Sequence, residues 1–345
     1  MKLSCNIWFN GVVNVAVSIR IKQVKKLFKK NLDVYNIIEL WKNSCINSCG
    51  GQSVGLIGVC DEYFRIDGDF LNPTKSNNFS RMNKLKASST FILFDRLNLN
   101  RGFDFTFDNN DILLNLNYPA TLSEIKSYYN LVNNICKKIG NNVFIRDDYD
   151  GSKYVDVSFI EELINKDYIN SYNYLKQIYN EPEYITFNLL GVMNPICISK
   201  NDLSNLGIGS SEESESINVV MTNYEKYLND LQQKDRFFSV PRCYKTDNGT
   251  ICVFPCPPKC ETIISTDPEY DVGLYKKLNP DFLGLNNISG YYVTVEYNKK
   301  FYQVDYMKFI RMFNDENNYD SKHIVINYSD TDIKDLIDNS DTLEL

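Results

Sequence analysis

One helix, framed by two pairs of strands, constrains this chain more than any other feature. Leu122, Ile125, Tyr128, Tyr129, Val132, Ile135 and Ile139 recur at helical spacing and make a single apolar stripe. Thr121-Leu-Ser-Glu124 fits a capping box, in which hydroxyl and carboxylate satisfy the backbone donors that a first helical turn leaves open. Gly140 stands where a left-handed terminating residue belongs, so the spacing predicts a helix over 122–139.

Before that helix, Phe103, Phe105 and Phe107 alternate with Asp104, Thr106 and Asp108, the period of a strand with one buried face. Asn109-Asn110-Asp111 supplies a turn, and Ile112, Leu114 and Leu116 repeat the strand period. After it, Val143 to Ile145 and Tyr154 to Val157 read as two more strands, joined through Asp147-Asp148-Tyr149-Asp150-Gly151. Ser158-Phe-Ile-Glu161 reads as a second capping box opening a short helix through Ile164, with a separate helix from Asp167 to Tyr179. The order β-β-α-β-β-α predicts an α+β fold, with antiparallel or mixed sheets and helices packed on one face.

Upstream, Val13 to Ile21 alternates as a half-buried strand, expected to pair with Leu3 to Phe9 across Asn10-Gly11. Lys22 to Lys30 is a short basic amphipathic segment, read as a solvated face or as a contact for an anionic partner. Downstream, hairpins are expected at Thr246-Asp247-Asn248-Gly249 and Asn298-Lys299-Lys300, and Tyr291 to Tyr328 repeats β-β-α-β before a last helix. The two units could be related, although their residue identity is too weak to prove duplication. An acidic Ser/Glu run divides the chain into an N-terminal α+β domain over 1–206, a linker over 207–218 and a C-terminal α+β domain over 219–345.

Charge narrows the function. Lys+Arg at 37 against Asp+Glu at 44 gives a formal net charge of -7, which argues against a general nucleic-acid binder. No run approaches the roughly 20 apolar residues of a membrane helix, so membrane insertion is not expected. The first residues lack a secretory apolar core, which predicts a cytoplasmic protein whose ten cysteines are mainly reduced.

Chemistry-bearing residues are sparse. His323 is the single histidine, placed by its polar upstream neighbours at an edge or loop, and no Gly-x-Ser-x-Gly elbow is present to use it. Cys243, Cys252, Cys256 and Cys260 form the densest thiol group and are the candidate zinc ligands, although their spacing differs from a Cys-x-x-Cys knuckle. The alternative is that they are unrelated buried thiols. Cys45 and Cys49 are free to pair with each other or with nothing. Asp147 to Gly151 fails as a calcium loop, since Arg146 and Val157 fall where carboxylates are required.

The run Arg101-Gly-Phe-Asp-Phe, the Asp-x-x-Leu-x-Leu strand, Pro119 and the Thr-x-x-Glu-Ile-Lys-Ser-Tyr-Tyr helix resemble an uncharacterised bacterial domain-of-unknown-function family over the middle third of the chain. That resemblance implies a cytosolic bacterial protein and carries no functional residue with it. Missing catalytic motifs, acidic charge and 24 tyrosines predict a non-catalytic protein-binding module, immunity-like or assembling a complex, whose partner is another protein. The competing expectation is an enzyme or zinc-dependent module using Cys243 to Cys260, or a pocket gathering Asp147, Asp148, Glu161, Arg101 and Arg146.

Overall fold

The computed structural model describes residues 16–23, 31–45, 54–59, 63–67, 90–148, 150–209, 216–233, 236–278, 287–313, 318–338 and 343–344. The expected strand before Ala16, most of the Lys22 to Lys30 segment, Cys49 and the centre of the acidic run lie outside these residues.

The strands are β1 (Ala16–Ile21), β2 (Val54–Val59), β3 (Tyr63–Asp67), β4 (Thr90–Asp95), β5 (Asn98–Asp108), β6 (Asp111–Asn117), β7 (Val143–Asp148), β8 (Gly151–Asp156), β9 (Phe187–Leu190) and β10 (Pro195–Ile198). They are followed by β11 (Phe237–Phe238), β12 (Arg242–Thr246), β13 (Gly249–Pro255), β14 (Thr262–Ser265), β15 (Ile288–Tyr297), β16 (Lys300–Asp305), β17 (His323–Ile326) and β18 (Leu343–Glu344). The helices are α1 (Val34–Lys42), α2 (Leu122–Ile139), α3 (Ile160–Asn180), α4 (Lys200–Asn205), α5 (Ser216–Gln232), α6 (Pro268–Leu278), α7 (Tyr306–Met312) and α8 (Asp330–Asp338). The fold is α+β.

The central element is an eight-stranded antiparallel sheet in the order β3-β2-β4-β5-β6-β1-β7-β8. Opposed residues of an antiparallel ladder share a face, so the register sorts the side chains into rows. Arg146, Ile19, Leu114, Phe105 and Phe91 form one row, all nearly sealed from solvent. Phe91 stacks on Phe105 at 4.7 Å, and Phe103 meets Trp41 of α1 and Tyr128 of α2 edge-on. This face carries the helices.

The β5–β6 turn is made by Asn109 and Asn110, both with positive φ, the residue type and geometry that a twisted hairpin needs. Helix α2 has the expected bounds: Thr121 and Glu124 complete the capping box, and Gly140 ends the helix at φ 71°. Helix α3 differs from expectation, running unbroken from Ile160 to Asn180 with no side-chain cap at its start. Its buried stripe is Ile160, Ile164, Asp167, Ser171, Tyr174, Leu175 and Ile178, so a buried Asp sits where the sequence pattern suggested a break.

Beyond the large sheet lie the β10–β9 hairpin, the sheet β11-β14-β17 and the mixed sheet β12-β13-β15-β16-β18, in which β13 and β15 run parallel. Two main cores result. Buried residues of α5, including Tyr224 and Leu228, belong to the first with the large sheet. The second gathers Phe254, Val293, Tyr306, Phe309 and Ile326. No described helix is long and apolar enough to cross a membrane.

Candidate functional site

Three groups of residues could carry function. The four candidate zinc ligands are divided by the structure. Cys243 and Cys252 face each other across β12 and β13 and form a disulfide, with Cα atoms 4.2 Å apart. That separation matches a non-hydrogen-bonded antiparallel pair, where opposed side chains come closest. The expectation of reduced thiols does not hold for this pair, because sheet register brings the two sulfurs together. Cys256 is buried, and burial pushes its thiol up to about 12. Cys260 is half-buried and donates toward Glu261 O at 3.6 Å. Among the described residues, no three His, Cys, Asp or Glu side chains converge so as to hold a metal ion.

The second group surrounds His323. It was expected at an edge or loop; it is the first residue of β17 and only 2 % exposed. The reason is that the polar segment before it folds back: Asp320 Oδ1 accepts from the Lys322 and His323 amides at 2.8 and 2.9 Å and lies 2.8 Å from His323 Nδ1. On the other side, Asp271 Oδ1 of α6 lies 3.1 Å from Nε2. Burial opposes a charge here, yet hydrogen bonds to Asp271 and Asp320 carry the imidazole pKa up to about 10. Both ring N–H groups therefore donate, each to one carboxylate.

Asp320 also reaches the β10 hairpin, where its Oδ2 accepts from Cys197 N at 2.7 Å. Cys197 Sγ lies 3.1 Å from Tyr270 OH, which donates to Asn188 Oδ1 at 2.7 Å. Burial, with Asp320 adding to it, pushes the Cys197 thiol up to about 11. Thiol and imidazole are thus both held protonated at neutral pH, the wrong states for a nucleophile and its base. What this arrangement does chemically is clamp: one imidazolium and two carboxylates tie β10, α6 and β17 together. Asp271, Asp320, Cys197 and Tyr270 were not singled out by sequence reading, and their separations along the chain left no local signal.

The third candidate gathering was Asp147, Asp148, Glu161, Arg101 and Arg146. Only Arg146 and Asp148 meet, at 3.0 Å. Arg146 turns into the core and grips Asp167 of α3 with two parallel bonds of 2.9 and 2.6 Å. Tyr118 and Tyr129 each donate to Asp167 at 2.6 Å. Burial works against the guanidinium charge, but Asp167, Tyr129 and Asp148 together outweigh it and raise the pKa. Asp147 accepts from Ser152 Oγ, and Glu161 lies exposed at the start of α3. Arg101 instead binds the Leu190, Asn117 and Pro119 carbonyls.

Among the described residues, no helix covers the opposite face of the large sheet. Tyr154, Ile145, Arg20, Leu113, Thr106 and Thr90 stand in one transverse row across β8, β7, β1, β6, β5 and β4. All but Tyr154 are partly exposed, and Tyr154 is 73 % exposed. A neighbouring row places Asp104 opposite Asn115 and Ile92. Burial raises the Asp104 carboxyl to about 7, with Arg101 opposing.

No curated protein and no solved structure matches the chain. A family model matches residues 16–336, well beyond the middle third that the sequence motifs suggested, and the chain belongs to that family, the domain of unknown function DUF4299.

Proposed function

We propose that this chain is a non-catalytic protein-binding module, and that its contact surface is the helix-free face of the eight-stranded sheet. The observation that carries this reading is the row Tyr154, Ile145, Arg20, Leu113, Thr106 and Thr90, which mixes aromatic, aliphatic and polar groups on a surface no described helix covers. Interfaces favour such composition, with tyrosine and arginine as anchors. The engaged state of His323, with both ring nitrogens committed to carboxylates, supports the same reading by leaving the lone imidazole no proton-transfer role. A cytoplasmic place in complex assembly, or neutralisation of a toxin, is the form we favour.

The test is size and composition of the full chain recovered at native abundance. A defined protein partner, lost on Leu113→Arg while the melting temperature stays within a few degrees, is expected. A strict monomer under those conditions overturns the proposal. A second reading, a zinc-dependent module on Cys243, Cys252, Cys256 and Cys260, requires the Cys243–Cys252 bond to open first. Metal content of the reduced protein tests it, and below about a tenth of an equivalent ends it.

A further inference from the structure

Among the described residues, strand β8 is an edge of the large sheet, paired on one side only, with β7. Its free side is defined by the ladder. Val157 N donates to Asn142 O at 2.8 Å, and the Val143↔Asp156 register sets these two residues opposite each other, so Asn142↔Val157 is a hydrogen-bonded pair and Val143↔Asp156 is not. Hydrogen-bonded and non-hydrogen-bonded pairs alternate along an antiparallel ladder. Phe144↔Val155, Arg146↔Lys153 and Asp148↔Gly151 are therefore bonded pairs, and the N–H and C=O groups of Ser152, Tyr154 and Asp156 point away from β7. Among the described residues no backbone group pairs with those of Ser152 and Tyr154, and both residues are exposed.

The charge around this edge has one sign in excess. Asp147, Asp150, Asp156, Glu161 and Glu162 flank it, against Lys153 on the strand and Lys166, which is tied to Asp148 and Asp150. Tyr154 and the half-exposed Phe159 supply apolar contact beside it. The edge β12 is of the other kind, with Arg242 and Lys245 exposed.

We infer that the free edge of β8 accepts a basic, extended polypeptide segment as a ninth strand of the sheet. The inference rests on the protein-binding reading above and gives it a place and a partner chemistry. Main-chain bonds to Ser152, Tyr154 and Asp156 would give the segment its register, and lysines or arginines alternating along it would meet the flanking carboxylates. A second copy of β8 fits less well, because an isologous pair sets two acidic edges against each other.

The probe is a nonapeptide of Lys-Thr-Val repeated three times, compared with Glu-Thr-Val repeated three times, added to the full chain. Amide hydrogen exchange is read by NMR. Slowing of about tenfold at Ser152, Tyr154 and Asp156 is expected with the lysine peptide at about 1 mM, weakening with salt and absent with the glutamate peptide. Tyr154→Pro removes an outward N–H without touching the β7 ladder and should abolish the slowing. Unchanged exchange at these amides in the wild-type chain, or binding that survives Tyr154→Pro, overturns the inference. Concentration-dependent self-association abolished by Tyr154→Pro also overturns it, because the occupant is then a second copy. A native partner lost on Leu113→Arg but retained by Tyr154→Pro leaves the protein-binding reading intact and removes only the edge.

Discussion

Two buried cations, each held by two carboxylates, lie in two regions of this molecule, and they are built on opposite rules. Arg146 lies in the covered row of the large sheet and binds Asp167 in a fork, while Asp148 takes its Nε. Two tyrosine hydroxyls then complete Asp167, so each of its oxygens has partners. His323 sits between Asp271 and Asp320, but Asp271 Oδ2 is buried without a hydrogen-bond partner among the described residues. Burial raises the Asp271 carboxyl, with His323 opposing. A guanidinium stays charged at any pH the fold survives; an imidazolium does not. The comparison teaches that the first cluster fixes helix α3 to the sheet permanently, whereas the second joins β17 to α6 by a charged bond only while His323 holds its proton.

Breaking the first cluster should have the largest effect. Asp167→Ala leaves Arg146 charged and buried and strips two tyrosines of their acceptor, a loss of about 3–5 kcal/mol in urea unfolding. A loss below about 1 kcal/mol would mean that Arg146 escapes to solvent and that the cluster is not what holds α3.

The second cluster is separated from the first by pH. The His323 folded pKa of about 10 lies above its ordinary 6.5, so the imidazolium contributes fully below about pH 6.5, and the contribution is lost as pH rises through 10. Unfolding free energy should fall across that window by at most about 1.4 kcal/mol per pH unit, and His323→Gln should flatten the fall. Asp104 acts lower: its carboxyl is raised from 3.8 to about 7, so its contribution is lost as pH rises from about 4 through 7. Asp104→Asn should flatten that earlier segment and leave the alkaline one.

What was legible in the sequence is what is local. The phenylalanine alternation of β5, the asparagine turn and the Thr121–Gly140 frame of α2 each act over a few residues, and the structure has all three. The clusters were not legible, because their partners lie far apart: 21 residues for Arg146 and Asp167, 52 for His323 and Asp271, 123 for Cys197 and Asp320. Asp167 even misled, since a carboxylate on the buried stripe of α3 interrupts the apolar period and mimics a helix end. His323 was misplaced for a related reason. Asp320, three residues ahead of it, folds inward to bind its ring and does not mark a surface.

Glu124 is a third buried charge and gives the finest test of the same contrast. Its Oε2 accepts from Thr121 N at 2.9 Å, and its Oε1 accepts from Arg101 N and Gly102 N at 2.6 and 2.7 Å. Gly102 makes this possible with φ at 69°, where a Cβ would stand 2.5 Å from Leu93 O. Glutamine is an ordinary alternative in an exposed capping box, because one carbonyl oxygen suffices there. Here both oxygens face donors, so the amide of Glu124→Gln must turn its NH₂ toward one of them. The expected cost is about 1–2 kcal/mol. The matching change in the solvent-facing box of α8, Asp332→Asn, keeps an acceptor for Ser329 N and should cost only a few tenths of a kcal/mol. Equal costs at the two boxes would show that Glu124 serves only as a helix cap, and that its bonds to Arg101 and Gly102 contribute nothing to holding the β5 bend against α2.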